Sequence, residues 1–292
     1  MERPVEFYSE GVRVRGYLTA PQEARGLPGI VLCHGFGALM AMDFPDYARR
    51  LADQGYAVLR FDYRHFGESE GEPRNLLLPL REVEDVRNAI TFFQQQPEVD
   101  PARIGLWGTS FGGAIVIYTA AVDERVKAVV ANVPVTNGRR WIRSVNTAFN
   151  WERILDELEA DRVRRVLTGE SKVVPVSEFR PPDPHPSVAA YFERFQHLLG
   201  PRREMPWRSV EAVLEFAADE VADRISPRAL LIIAAPRDTI TPLEQAELAY
   251  ARAREPKRLV LLPRHVAHFE VYTEPIVSMV MEESLAWFRQ HL

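Results

Sequence analysis

Apolar and polar positions alternate over residues 5–8 and again over 12–18, and Ser9-Glu10-Gly11 between them has the composition of a tight turn. The chain therefore opens with an antiparallel hairpin. Beyond it the pattern changes. Short apolar runs bounded by turn residues fall at 29–33, 57–61, 103–107, 126–131, 229–235 and 258–262, and runs of that length without alternation fit strands buried on both faces of a parallel sheet. Segments of helical period lie between them. Phe44, Tyr47, Ala48 and Leu51 fall at i, i+3, i+4 and i+7, as do Val83, Val86, Arg87 and Ile90 with one charge among them. Residues 276–292 read as a closing helix that docks on the sheet through Met279, Val280, Leu285, Trp287 and Phe288. Alternation of strand and helix predicts an α/β fold with helices covering both faces.

One stretch departs from this rhythm. Residues 139–224 contain no convincing buried strand, while Trp151, Ile154, Leu155 and Leu158 mark an amphipathic helix. The expected organisation is a core of 1–138 and 225–292 interrupted by a helical insertion, 139–224. Its middle, Phe179-Arg180-Pro181-Pro182-Asp183-Pro184-His185-Pro186, has four prolines in eight residues and is a loop between two helical parts. Arg162, Arg164 and Arg165 are accompanied by Glu152, Asp156, Glu157, Glu159 and Asp161, so they read as a solvated helix face rather than an anion site.

Composition narrows the function. The 292 residues are 46% hydrophobic and 26% charged, ordinary for a chain that buries a sizeable core. A net charge of −5 supplies no broad positive field for nucleic acid. The lone Cys33 cannot form an internal disulfide or a zinc site, and the amino-terminal Met-Glu-Arg-Pro-Val-Glu lacks the apolar stretch of a secretory signal. No segment reaches the roughly 18 apolar residues of a membrane span. These features predict a cytoplasmic protein.

The chemistry is concentrated in Gly108-Thr109-Ser110-Phe111-Gly112-Gly113, which directly follows an apolar run and directly precedes Ala114-Ile115-Val116-Ile117-Tyr118. With 16 glycines and 11 serines in the chain, the pattern G-x-S-x-G arises by chance on the order of 0.03 times. A serine at a sharp strand-to-helix turn projects its hydroxyl away from the sheet, and small residues two places before and after it avoid clashes. That hydroxyl becomes a nucleophile only if a base removes its proton and a third group orients the base. Asp238, on a loop beyond the run 229–235, can be the orienting carboxylate. The loop after the next run, Pro263-Arg264-His265-Val266-Ala267-His268-Phe269, offers two histidines, and one of them is the expected base.

From about residue 10 to the end, the insertion excepted, the sequence resembles the α/β-hydrolase superfamily. The resemblance implies a mostly parallel eight-stranded sheet with helices on both faces and a helical cap inserted before the penultimate strand. It implies a triad in the order Ser110, Asp238, His268, the family's Gly-His-Phe ending resembling Ala267-His268-Phe269, with alanine for glycine. It also implies an oxyanion loop at His34-Gly35-Phe36-Gly37, whose Phe36 amide would act with that of Phe111, leaving Cys33 and His34 as structural neighbours. Phe61-Asp62-Tyr63-Arg64-His65-Phe66-Gly67-Glu68-Ser69 resembles the family's Asp-x-Arg-Gly-x-Gly-x-Ser loop with His65 in place of the first glycine, and reads as scaffold for the oxyanion loop. A serine nucleophile argues against the family's dehalogenases, epoxide hydrolases and dienelactone hydrolases. The cap's Trp141, Phe149, Trp151, Tyr191, Phe192, Phe195 and Trp207 offer apolar surface for an acyl substrate or for a second copy of the chain. The expected activity is cleavage of small-molecule carboxylic esters through an acyl-enzyme, without a cofactor or metal. Thioesters and activated carbon–carbon bonds suit the same triad, and a catalytically silent ligand-binding relative is the reading outside enzymes.

Overall fold

The computed structural model describes residues 1–199 and 203–292. The opening hairpin is β1 (Glu2–Ser9) and β2 (Val12–Thr19), paired antiparallel with Ser9 opposite Val12. Its two connecting residues, Glu10 and Gly11, have φ of 48° and 83°, the left-handed pair that a two-residue turn between twisted strands requires. There follow β3 (Leu27–Cys33), α1 (Phe44–Ala52), β4 (Ala57–Phe61), α2 (Pro79–Phe93), β5 (Val99–Thr109), α3 (Phe111–Val122) and β6 (Val126–Asn132).

Between β6 and the next core strand lie α4 (Gly138–Ser144), α5 (Ala148–Thr168), β7 (Val173–Pro175), α6 (Pro186–Leu199), β8 (Glu204–Pro206) and α7 (Trp207–Glu215). The chain then returns to the core through β9 (Ala229–Ala234), α8 (Leu243–Arg252), β10 (Lys257–Leu261) and α9 (Ile276–His291).

Eight strands form one sheet in the order β1-β2-β4-β3-β5-β6-β9-β10. The pairings β1·β2 and β2·β4 are antiparallel and all the others parallel. Alternate side chains of the central strands feed two cores. Val31, Leu59, Leu106, Val129 and Ile232 point to α2, α3 and α8. Ile30, Val58, Trp107, Val130 and Ile233 point to α1 and α9. Nearly continuous apolar strands follow from this two-sided burial.

Several details depart from the sequence reading. Arg87 is exposed, and the buried stripe of α2 runs through Val83, Val86, Ala89, Ile90 and Phe93. On α9 Met279 faces outward, while Val280, Met281, Trp287 and Phe288 are buried. The insertion holds a two-stranded antiparallel ribbon, β7·β8, with Val174 opposite Met205. Its proline-rich loop ends where Pro186 starts α6, at the position where a missing N–H costs nothing. Asp161 is not on a solvated face. It is buried and accepts hydrogen bonds from Arg165 Nε (3.0 Å), Ser171 Oγ (2.8 Å) and the Lys172 amide (2.7 Å), while Arg162 and Arg165 reach across to Glu211 of α7.

Candidate active site

Ser110 stands between β5 and α3 with φ 56° and ψ −123°, a backbone region that costs a non-glycine residue about 1–3 kcal/mol. Neighbouring hydrogen bonds hold it there. Its amide donates to the Asn132 carbonyl (2.9 Å), and its own carbonyl accepts from the amides of Gly113 and Val135, both at 3.0 Å. The glycines are required by space. A Cβ on Gly108 would lie 2.2 Å from the Gly112 carbonyl oxygen, and one on Gly112 would lie 2.2 Å from that of Cys33. The pattern G-x-S-x-G thus reflects main chain packed on main chain, as the turn demands.

Asp238 and His268 meet on the same side of the sheet, from the loops after β9 and β10. His268 Nδ1 donates to Asp238 Oδ2 at 2.6 Å, and both residues are buried. Asp238 Oδ1 accepts from the amides of Ile240 (2.9 Å) and Thr241 (2.6 Å), and Oδ2 also accepts from the Thr241 hydroxyl (2.5 Å). These bonds hold the carboxylate in one orientation, so it fixes the tautomer that leaves Nε2 free to accept a proton. The other candidate, His265, is exposed. The Thr241 hydroxyl oxygen also lies 3.3 Å from the carbonyl of Val133, itself at φ 40°, a strained setting for a β-branched residue.

The loop after β3 brings Gly35, Phe36 and Gly37 to the cleft that Ser110 and His268 line. A Cβ on Gly35 would sit 3.1 Å from Ser110 Cβ. The Phe36 ring packs edge-on against Phe111 at 5.9 Å and Trp141 at 5.3 Å, which places the two candidate oxyanion residues side by side. Cys33 is buried and its thiol is pushed up to about 12 by that burial, which makes it a poor nucleophile. Burial likewise lowers the basicity of His34, whose Nδ1 donates to the Gly35 carbonyl at 3.2 Å.

Asp62 has the partners that its sequence did not disclose. Oδ1 accepts from the Met40 amide (2.7 Å) and Oδ2 from the Glu68 amide (2.9 Å), so the carboxylate ties its own loop to the segment following the oxyanion loop. His65 adopts φ 73°, the left-handed conformation expected where a glycine is usual.

The cleft is narrow, with a cavity volume of about 50 Å³, and is partly open to solvent. Of the aromatic residues singled out in the insertion, Trp141, Tyr191 and Phe192 line it. Trp207 is packed in a core, Phe195 is buried against Tyr191 and the Arg194 guanidinium, Phe149 is 76% exposed, and Trp151 lies under the Arg139 guanidinium. The sequence reading missed four contributors. Thr241 orients Asp238. Tyr272 lines the cleft and shares a 2.9 Å hydrogen bond with the Thr109 hydroxyl. Arg180 and Arg203 come from the proline-rich loop and the start of the β8 arm. Thr241 carried a signal, a hydroxyl three residues after an acid on a turn. The arginines carried none. Among the described residues no three His, Cys, Asp or Glu side chains are grouped as a metal would require, and no helix is long and apolar enough to cross a membrane.

Residues 30–277 match the Alpha/beta hydrolase family, to which this chain belongs. An uncharacterized 31.7 kDa protein of Escherichia coli, from the traX-finO intergenic region, is 29% identical over 269 residues, 91% of each chain. Thiohydrolase aneE of Aspergillus aculeatus is 43% identical over 131 residues, 44% of this chain and 41% of that protein. Among solved structures, the alpha/beta hydrolase GrgF from Penicillium sp. sh18 superposes with a TM-score of 0.84 at 26% identity, covering 100% of this chain and 99% of that one.

Proposed function

We propose that the protein hydrolyses carboxylic esters through an acyl-enzyme intermediate. The observation that carries this reading is the 2.6 Å bond between His268 Nδ1 and Asp238 Oδ2 beside a cleft that His268 shares with Ser110. Ser110 Oγ attacks the ester carbonyl as His268 Nε2 takes its proton. Asp238 holds His268 in position and stabilises the imidazolium that forms. Negative charge on the carbonyl oxygen is received by the amides of Phe36 and Phe111, already fixed in direction by a loop and a helix start. His268 returns the proton to the departing alkoxide. It then activates a water that releases the acid from Ser110. Residues 139–224 act as the cap, contributing Trp141, Tyr191 and Phe192 to an apolar acyl pocket, and the setting is cytoplasmic.

A thioester is the second reading, favoured by the stretch shared with a protein named a thiohydrolase; the same triad would expel a thiolate. The test is labelling with a fluorophosphonate and peptide mapping, beside turnover of p-nitrophenyl esters of increasing acyl length. Label on Ser110 with turnover upholds the reading. No label and no turnover would leave a silent fold that binds a ligand.

A further inference from the structure

Arg180 and Arg203 both line the cleft that contains Ser110 and His268. Among the described residues neither guanidinium forms a salt bridge, whereas Arg60 reaches Glu2 and Arg64 reaches Asp85. The only protein hydrogen-bond partner of the Arg203 guanidinium there is the Phe36 carbonyl, to which Nη2 donates at 2.8 Å, and its Cζ lies 4.8 Å from the centre of the Phe192 ring. Most of its five N–H donors are thus unused. The Arg180 side chain has no protein hydrogen-bond partner among the described residues. The acid that acts on it, Asp183, already accepts from the His185 amide at 2.8 Å and the Thr239 hydroxyl at 2.5 Å. The surrounding walls are apolar: Phe36, Phe44, Trp141, Ile240 and Phe269.

Both side chains are only partly buried, so water solvates the donors that the protein leaves free, and an anion entering the cleft can take the place of that water. Burial lowers the basicity of both, that of Arg203 to about 9, with Arg180 adding to the effect. The guanidinium fork matches the paired oxygens of a carboxylate or phosphate.

We propose that the cleft selects acyl substrates bearing a second, anionic group, a carboxylate or a phosphate, which Arg180 and Arg203 bind while Ser110 meets the reacting carbonyl. This rests on the ester-cleaving reading above and narrows its substrate class. The anion comes either from the acyl part, as in the half-ester of a dicarboxylic acid, or from the leaving group, as in a phosphorylated thiol.

The experiment measures kcat/KM for two matched pairs: mono-p-nitrophenyl glutarate against p-nitrophenyl pentanoate, and S-butanoyl-phosphopantetheine against S-butanoyl-pantetheine. The anionic member of one pair should be preferred at least tenfold, and that pair identifies the source. Arg180→Met and Arg203→Met should each cut the preference about tenfold, and Arg180→Lys, which keeps the charge and guards against a folding defect, should retain part of it. A preference below threefold in both pairs overturns the proposal, as does one that survives both Met substitutions. If none of the four compounds turns over and Ser110 is not labelled, the hydrolase reading fails instead. The anion site is then judged by isothermal titration of Ser110→Ala with monomethyl glutarate and with inorganic phosphate. Binding that Arg180→Met weakens supports it, and no binding overturns it.

Discussion

The Tyr191 hydroxyl donates to Asp43 Oδ2 at 2.6 Å, joining α6 of the insertion to the start of α1 in the core. Arg194 Nη2, one turn further along α6, donates to Oδ1 of the same carboxylate at 2.7 Å. Asp43 is buried, and that burial pushes its carboxyl up even though Tyr191 and Arg194 pull it back. Tyr191 also stacks on Phe269, the neighbour of the candidate base, with ring centres 4.4 Å apart. One side chain therefore fixes a wall of the cleft relative to the loop that carries His268.

Tyr191→Phe removes this bond and keeps the ring. It should cost about 1–3 kcal/mol because a buried carboxylate oxygen loses a donor. Urea unfolding of the two proteins measures it, and equal midpoints would show that the clasp contributes nothing.

The candidate triad separates its members by size of effect. Ser110→Ala and His268→Ala should each abolish nearly all ester turnover, and Asp238→Asn should lower kcat by about 10⁴-fold through loss of the correct tautomer. His265→Ala should retain turnover, since His265 is exposed. Activity in His268→Ala with loss in His265→Ala would reverse the assignment.

The buried ion pair of Arg64 and Asp85 sits under the loop that begins with Asp62. Arg64 Nε donates to Asp85 Oδ1 at 2.8 Å and its amide to Oδ2 at 3.0 Å. Asp85→Ala removes the buried partner and leaves Glu84, at 3.1 Å, as the remaining acid on the guanidinium, and should destabilise the fold by about 1–3 kcal/mol. A thermal melt unchanged from the parent would contradict this.

Glu82, on the core side of α2, is buried, and its carboxyl is held well above the usual carboxylate range by that burial and then by Asp85. The folded chain therefore keeps a proton that the unfolded chain releases above about pH 4–5, and stability falls as pH rises from there through the folded value. Glu82→Gln lacks this term. Its Tm relative to the parent should climb as the pH rises above about 5, by roughly 2–4 °C for each kcal/mol gained. A pH-independent difference would place the cost of Glu82 elsewhere.

The core and the elbow were legible because their causes are local. Glu10-Gly11 sets a hairpin, and buried strands read as apolar runs. Gly108 and Gly112 record a steric limit that the sequence states directly. The insertion was less legible for physical reasons. A ribbon of three residues on each side, Val173–Pro175 and Glu204–Pro206, is too short to show alternation. Arg165 pairs with Asp161 of its own helix as the spacing implies, but Arg162 and Arg165 also reach Glu211, 49 and 46 positions away, which the helix's own sequence could not show. Arg180 and Arg203 are brought together only by the insertion's tertiary path, and no spacing rule connects them. Asp62 shows the intermediate case, where the motif implied a scaffold but only the fold supplied the Met40 amide as its partner.

The absent side chains around Ser110 have a mechanical meaning. Gly112 rests against the carbonyls of Cys33 and His34, and Gly35 against the Thr109 carbonyl and Ser110 Cβ, so the helix start and the loop after β3 meet with main chain in direct contact, beside the packed rings of Phe36 and Phe111. Side-chain contacts can change rotamer and so loosen the distance between the elements they join. Where backbone meets backbone there is no such freedom, and the spacing between the Ser110 main chain and the loop after β3 is set by covalent geometry and atomic radii, as in a machined fitting rather than an adjustable one.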